Sequence, residues 1–169
     1  MDVIRTRKNK RAQERGMEMA FAMRMNLNGS IVKKETFRNI YINGARNGFE
    51  FDVQLGYYRG HYLSTIDLLE VYLNGEKQPE EAVTFEVNGK ELPLYKLKYA
   101  VTEFWRQVDP AKVRAIRKGG VSDGEHELDF RLTIHIPYMQ IGPGHDFMPL
   151  DSGEKVTVVV KEQKEGRTE

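Results

Sequence analysis

Glu127-Leu128-Asp129-Phe130-Arg131-Leu132-Thr133-Ile134-His135-Ile136 alternates apolar and polar side chains without a break over ten residues. A period of two is the geometry of a β-strand, whose successive side chains point to opposite faces, so this stretch predicts a strand with one face in a core and one in water. The same alternation runs through Phe49 to Leu55 and through Val83 to Val87. Weaker versions predict strands over Phe37 to Ile42, Leu68 to Leu73, Val101 to Val108, Val113 to Arg117 and Val156 to Val160. Asn-Gly occurs five times, beginning at Asn28, Asn43, Asn47, Asn74 and Asn88. That dipeptide accepts the positive φ angles of tight hairpin turns, and the pairs at Asn74 and Asn88 fall between apolar runs. Only Leu92 to Ala100 offers a short helix. Seven to eight short strands with turn signals between them predict an all-β fold, an immunoglobulin-like antiparallel β-sandwich. A parallel α/β sheet would need crossover helices that the sequence lacks.

The chain has 169 residues, enough for one domain with its own core. Hydrophobic residues make up 40% and charged residues 30%, the balance of a folded globular protein and not of a disordered one. No apolar run reaches the roughly 18 residues of a membrane helix. The absence of cysteine removes disulfides, thiolate metal sites and thiol nucleophiles, and the simplest expectation is a cytoplasmic protein. The net charge of +1 gives no field that would steer the chain to nucleic acid. It is unevenly spread. Met1 to Arg24 hold seven basic and three acidic residues, against 19 basic and 22 acidic in the rest. Residues 1–26 therefore read as a basic, flexible N-terminal arm, 27–162 as the β-sandwich domain, and 163–169 as a polar tail.

Two segments break the alternation. Gly56-Tyr57-Tyr58-Arg59-Gly60-His61-Tyr62-Leu63-Ser64 packs three tyrosines, an arginine and a histidine directly after a strand. Pro137 to Asp151 carries three of the six prolines, with Tyr138, Met139, Phe147 and Met148 around the turn-forming Gly142, Pro143 and Gly144. Leaving such side chains in water is costly, so these loops either tuck over their own sandwich or cover another surface. As an active site in their own right, His61 and His145 would meet in space, with Asp146 or Asp151 orienting one of them. Spacing gives little support, since no metal-ligand or nucleophile motif is present; His61 reads more simply as a loop residue bonded to backbone and His145 as a turn residue fixed by Gly-Pro-Gly. His126 and His135 read as solvated. Trp105 reads as a core aromatic or as a platform for a sugar.

The runs GFEFDVQLGYYRGHYLS, VYLNGEKQPEEAVTFEVNGK, the strand leading to PYM, and IGPGHDFMPLD resemble the small β subunit of bacterial C-glycoside deglycosidases over roughly Phe37 to Val160. YYRGH and PYM-x-x-GPGH-x-x-MP are the most specific pieces, and the basic stretch before Asn26 does not match the family pattern. The resemblance implies a non-catalytic subunit of a carbon-carbon lyase, with no catalytic or metal-binding residue of its own. In that family the sugar is first oxidised at its 3-hydroxyl. A carbon leaving group has no lone pair for a carboxylic acid to protonate as in an ordinary glycosidase, whereas a ketone at C3 acidifies the C2 proton and opens an elimination. The resemblance assigns the base and a divalent metal, expected to be manganese, to a larger α subunit, a TIM barrel resembling sugar isomerases. It implies no cofactor here, and as partners that α subunit and, through the complex, an oxidised C-glycoside. Tyr57, Tyr58, Arg59, His61, Tyr138, Met139, His145, Phe147 and Met148 are then partner-interface or active-site-rim residues. A stand-alone carbohydrate-binding module, an independent metal-dependent enzyme, and a subunit of a lyase for 3-oxo-O-glycosides are the competing readings.

Overall fold

The computed structural model describes residues 22–25, 29–144 and 146–161. Its strands are β1 (Val32–Ile42), β2 (Ala45–Val53), β3 (His61–Tyr62), β4 (Ile66–Leu73), β5 (Glu76–Lys77), β6 (Val83–Val87), β7 (Lys90–Pro93), β8 (Phe104–Trp105), β9 (Ala111–Ile116), β10 (Gly124–Gln140), β11 (Phe147–Asp151) and β12 (Glu154–Val160). All ladders between them are antiparallel. One sheet has the order β1-β2-β9-β6-β7, and the other β11-β10-β4-β5. β12 also pairs with β10, along residues 124–130, while β11 takes the stretch from Thr133 onward.

The alternating stretch quoted above is the middle of β10. Its apolar members Leu128, Phe130, Leu132, Ile134 and Ile136 are buried. They share one core cluster with Phe49, Phe51 and Val53 of the other sheet, and Phe51 meets Phe130 edge-on with ring centroids 5.9 Å apart. The expected all-β sandwich is the fold. The immunoglobulin-like connectivity is a finer expectation than this sheet order establishes.

Three of the five Asn-Gly pairs are hairpin turns with both residues at positive φ: Asn43-Gly44 joins β1 to β2, Asn74-Gly75 joins β4 to β5, and Asn88-Gly89 joins β6 to β7. Asn47-Gly48 lies inside β2 instead. Tyr41 pairs with Arg46 and Ile40 with Gly48, which leaves Asn47 as a bulge. A Cβ at Gly48 would stand 2.2 Å from the Ala115 carbonyl oxygen, so the close approach of β9 requires glycine. Of the fifth pair, Asn28 lies outside the described residues and Gly29 has a φ of 75°.

Three expectations need correction. Val101 to Val108 is not a strand beyond Phe104–Trp105, because Trp105 Nε1 donates to the Asp109 carbonyl at 2.9 Å and folds the segment into a turn. The short helix expected over Leu92 to Ala100 is there, as a 3-10 helix over Leu94–Tyr99 that starts after Pro93. Pro137 to Asp151 is largely a hairpin of β10 and β11 and not a loop. Pro149 fits β11 because its carbonyl points away from β10 and accepts from Met23 N–H at 2.8 Å, so the missing proline N–H lies on the outer edge. Strand number also exceeds seven or eight, since β3, β5 and β8 are two-residue ladders too short to show a period.

Of the arm assigned to residues 1–26, only 22–25 are described. They lie along β11, where Asp151 N–H donates to the Met23 carbonyl at 2.8 Å. The tail assigned to 163–169 lies outside the described residues. Among the described residues no helix is long and apolar enough to cross a membrane.

Candidate functional site

The two segments that break the alternation meet. After β2 the chain turns at Gly56, whose N–H donates to the buried Ser152 Oγ at 2.8 Å, and Ser152 N–H donates to the Leu132 carbonyl. This tie brings the Tyr57 segment against β10. On β10, Ile136 pairs with Met148 and Gln140 with Phe147, so Pro137, Tyr138 and Met139 form a bulge. A bulge re-aims side chains. Here the Tyr138 hydroxyl shares a 2.9 Å hydrogen bond with the hydroxyl of Tyr57, 81 residues away.

From that bond a stack of rings runs from the core to the surface. Tyr57 is 1% exposed, and its ring lies 5.4 Å from the buried His61 and 4.5 Å from Tyr58. Tyr58 and Tyr138 are 47% and 49% exposed. The Arg59 guanidinium carbon sits 5.4 Å from the centroid of each of those two exposed rings, a cation over two π-faces. Burial and the Tyr138 hydrogen bond push the Tyr57 phenol well above its ordinary value, while hydrogen bonds from the Tyr57 and Tyr138 hydroxyls draw Tyr58 down. Burial raises Tyr138 as well. The phenols are thus unequal: Tyr57 and Tyr138 are held above their ordinary value and Tyr58 below it, although Arg59 lies beside both exposed rings.

His61 is 4% exposed, and burial holds it below its ordinary value, with His135 nearby adding to the effect. Its Nε2 is a buried polar atom with no hydrogen-bond partner among the described residues. The position is tight. A Cβ on neighbouring Gly60 would stand 2.6 Å from the Trp105 carbonyl oxygen, where β3 pairs with β8.

The remaining sequence candidates are placed as follows. Met139 and Met148 are half-buried and pack on the core. Phe147 stacks on His135 with centroids 5.9 Å apart. Gly142, Pro143 and Gly144 are exposed at the hairpin tip, which Ile141 N–H closes by donating to the Asp146 carbonyl at 2.8 Å. His145 lies outside the described residues, so its expected meeting with His61 does too. Asp151 is engaged by Arg24 at 2.9 Å and accepts from Gly153 N–H. His126 contacts Asn74 Nδ2 and the Ser122 carbonyl through its ring nitrogens. Trp105 is 1% exposed and meets Phe85 edge-on, a core residue and no sugar platform.

Two pairings have no counterpart in the sequence analysis. His135 Nδ1 sits 2.8 Å from Asp67 Oδ1, because the β4–β10 register shifts there: Thr133 pairs with Leu68 and Ile134 with Ile66, and Asp67 is the residue skipped. Tyr62 and Phe104, half-exposed, stack edge-on across β3 and β8 at 5.0 Å. Neither pairing has a signal in local sequence.

A groove of about 790 Å³ follows the seam between β1 and β12, lined by Lys34, Arg38, Asp52, Lys112 and residues 157–161 among others. It shares no residue with the ring stack. Arg38 and Lys112 are already committed to Glu50 and Asp52.

Comparison with known proteins places the ring stack inside a defined pattern: residues 27–138 match the C-glycoside deglycosidase beta subunit family. The chain belongs to that family. It is 31% identical over 134 residues to the C-glycoside deglycosidase beta subunit of Microbacterium trichothecenolyticum, covering 78% of this chain and 93% of that one. The beta subunit of Eubacterium cellulosolvens is 31% identical over 110 residues, 64% of this chain and 75% of its own. A 3'-dehydrocarminate deglycosidase beta subunit from a Microbacterium species is 32% identical over 96 residues, covering 56% and 71% of the two chains. For a C-glycoside deglycosidase beta subunit family member, Tyr57, Tyr58, Arg59, His61 and Tyr138 all fall within the matched region, whereas the hairpin tip and Phe147 fall beyond it.

The Tyr57–Tyr138 bond holds the two segments of this family member together. Tyr57→Phe should cost about 1 kcal/mol, since it leaves one hydroxyl without its partner, and lower the melting temperature by roughly 3 °C in a chain of this size. An unchanged melting temperature would show that the bond carries no weight.

Proposed function

We propose that this chain is the non-catalytic subunit of a C-glycoside deglycosidase, a lyase that cleaves 3-oxo-C-glycosides of aromatic aglycones by elimination. The observation that carries the reading is the exposed Tyr58–Arg59–Tyr138 edge, built where the two segments join, in a chain whose family is one of deglycosidase subunits. Exposed tyrosines and arginine are the side chains that interfaces favour.

In this reading the 56–64 and 137–151 segments dock on a larger α subunit, a metal-bearing TIM barrel, or rim its substrate mouth. The α subunit supplies the base and the divalent ion, manganese by expectation. Among the described residues here, no three His, Asp or Glu side chains group as a metal ion would need. What this chain supplies is a rigid sandwich that presents the edge.

Co-expression with the larger subunit tests the proposal. A complex should form, turn over a 3-oxo-C-glycoside that neither chain turns over alone, and protect the amides of 56–64 and 137–151 from hydrogen exchange. Turnover by this chain alone, or protection confined to other segments, would overturn it. The complex acting only on 3-oxo-O-glycosides would keep the subunit role and move the substrate class.

A further inference from the structure

Arg59 is an unusual surface arginine. It is exposed and fixed over two tyrosine rings, yet among the described residues none of its N–H groups has a hydrogen-bond acceptor and no carboxylate lies within ion-pair reach. The contrast within the molecule is sharp. Arg24, Arg38, Arg46, Arg106, Arg114, Arg117 and Arg131 each pair with an acidic side chain. A guanidinium lying over two rings, with its N–H groups bonded to none of the described residues, can take a planar acceptor, and its rigid fork suits a carboxylate or phenolate.

The faces beside it are aromatic. Tyr58 and Tyr138 are each about half exposed, and both are anchored: Tyr58 rests on the buried Tyr57 ring, and Tyr138 is held by the Tyr57 hydroxyl. Behind them, His61 Nε2 is buried with no hydrogen-bond partner among the described residues, an unsatisfied polar atom that calls for an explanation. A preorganised surface with a cation beside two half-exposed rings fits a flat ring that carries an ionised group.

We infer that the juxtaposed Tyr58, Arg59 and Tyr138 form a recognition shelf for an anionic aromatic aglycone, with Arg59 binding its carboxylate or phenolate and the tyrosines stacking on its ring. The inference rests on the subunit reading and deepens it, because the shelf then selects substrate within the assembled lyase. Arg59 is a specificity residue here and takes no part in bond cleavage. A carboxylate of the larger subunit, seated on the same arginine, is the competing occupant.

The test uses the complex with the larger subunit and two 3-oxo-C-glycosides with the same sugar, one bearing an aryl carboxylate and the other a neutral aryl group. Arg59→Ala should raise KM for the carboxylate substrate about tenfold, the scale of losing one charge-assisted hydrogen bond. KM for the neutral substrate should move less than about threefold on the same arithmetic, with the mass of the complex unchanged. Arg59→Lys should recover part of the loss, because charge returns without the fork. Equal effects on the two substrates, no effect on either, or dissociation of the complex would each overturn the shelf. Dissociation would leave the subunit role standing, with Arg59 as a docking contact. A wild-type pair that neither assembles nor turns over substrate would remove the subunit reading itself.

Discussion

Phe130→Ala should destabilise the chain by about 3 to 5 kcal/mol, the usual cost of emptying a fully buried phenylalanine site. Phe130 sits at the centre of β10, is 0% exposed, and is hydrogen-bonded through its strand to β4 on one side and β12 on the other. Its ring meets Phe51 edge-on across the two sheets, and Phe51 continues into a stacked cluster with Phe37 and Phe49 at 5.3 to 6.3 Å. The cavity would open against paired backbone on both sides, which cannot move in without breaking ladders. Even so rigid a site loses its edge-to-face contact as well as its transfer free energy. Thermal unfolding should shift down by roughly 10 °C. Phe130→Leu, which keeps most of the volume, should recover more than half of that. A shift of only 1 or 2 °C for the alanine variant would mean that the sheets do not depend on this contact.

That core was the most legible part of the chain. Side-chain alternation is a local property, and one face of β10, β2 and β6 is written directly as every second residue from Leu128, Phe49 and Val83. Asn-Gly marked the β1–β2, β4–β5 and β6–β7 turns because the positive φ demand is also local. What failed was whatever depends on distant pairing. Pro137 and Pro149 argue against a strand when read in line, yet one lies in a bulge and the other turns its missing donor outward to Met23. Val101 to Val108 looked strand-like until the Trp105 indole, bonded to Asp109, bent it.

The site divides in the same way. Tyr57, Tyr58, Arg59 and Tyr138 stood out by composition, and the structure brings them together, but their partition into a buried anchor and an exposed shelf depends on a bond spanning 81 residues. The Asp67–His135 pair arises from a register shift that no residue type announces.

Glu50→Ala should cost about 2 to 3 kcal/mol at neutral pH, the scale of losing hydrogen bonds to a charged group when the partners stay behind. Glu50 is a buried acid on β2, paired across the ladder with Arg38 of β1 and Arg114 of β9. It accepts from Arg38 Nε at 2.6 Å and from Arg114 Nε at 2.8 Å, one on each carboxylate oxygen. Arg114 carries the chain of charges on to Glu86 and Glu91. Burial alone would raise the Glu50 pKa, but hydrogen bonds from Arg114 and Arg38 outweigh it and leave the acid below its ordinary value of 4.5. The sign follows from linkage. A carboxyl group more acidic in the folded state than in the unfolded one stabilises the fold fully above the unfolded pKa, and loses that contribution as pH falls through the folded one. The gap in melting temperature between wild type and Glu50→Gln should therefore be widest near pH 7 and constant down to about pH 5, then close below about pH 4 as the native carboxylate takes up its proton. A gap that stayed constant into strong acid would assign the loss to packing, and one that widened on acidification would reverse the sign and refute the ion pair.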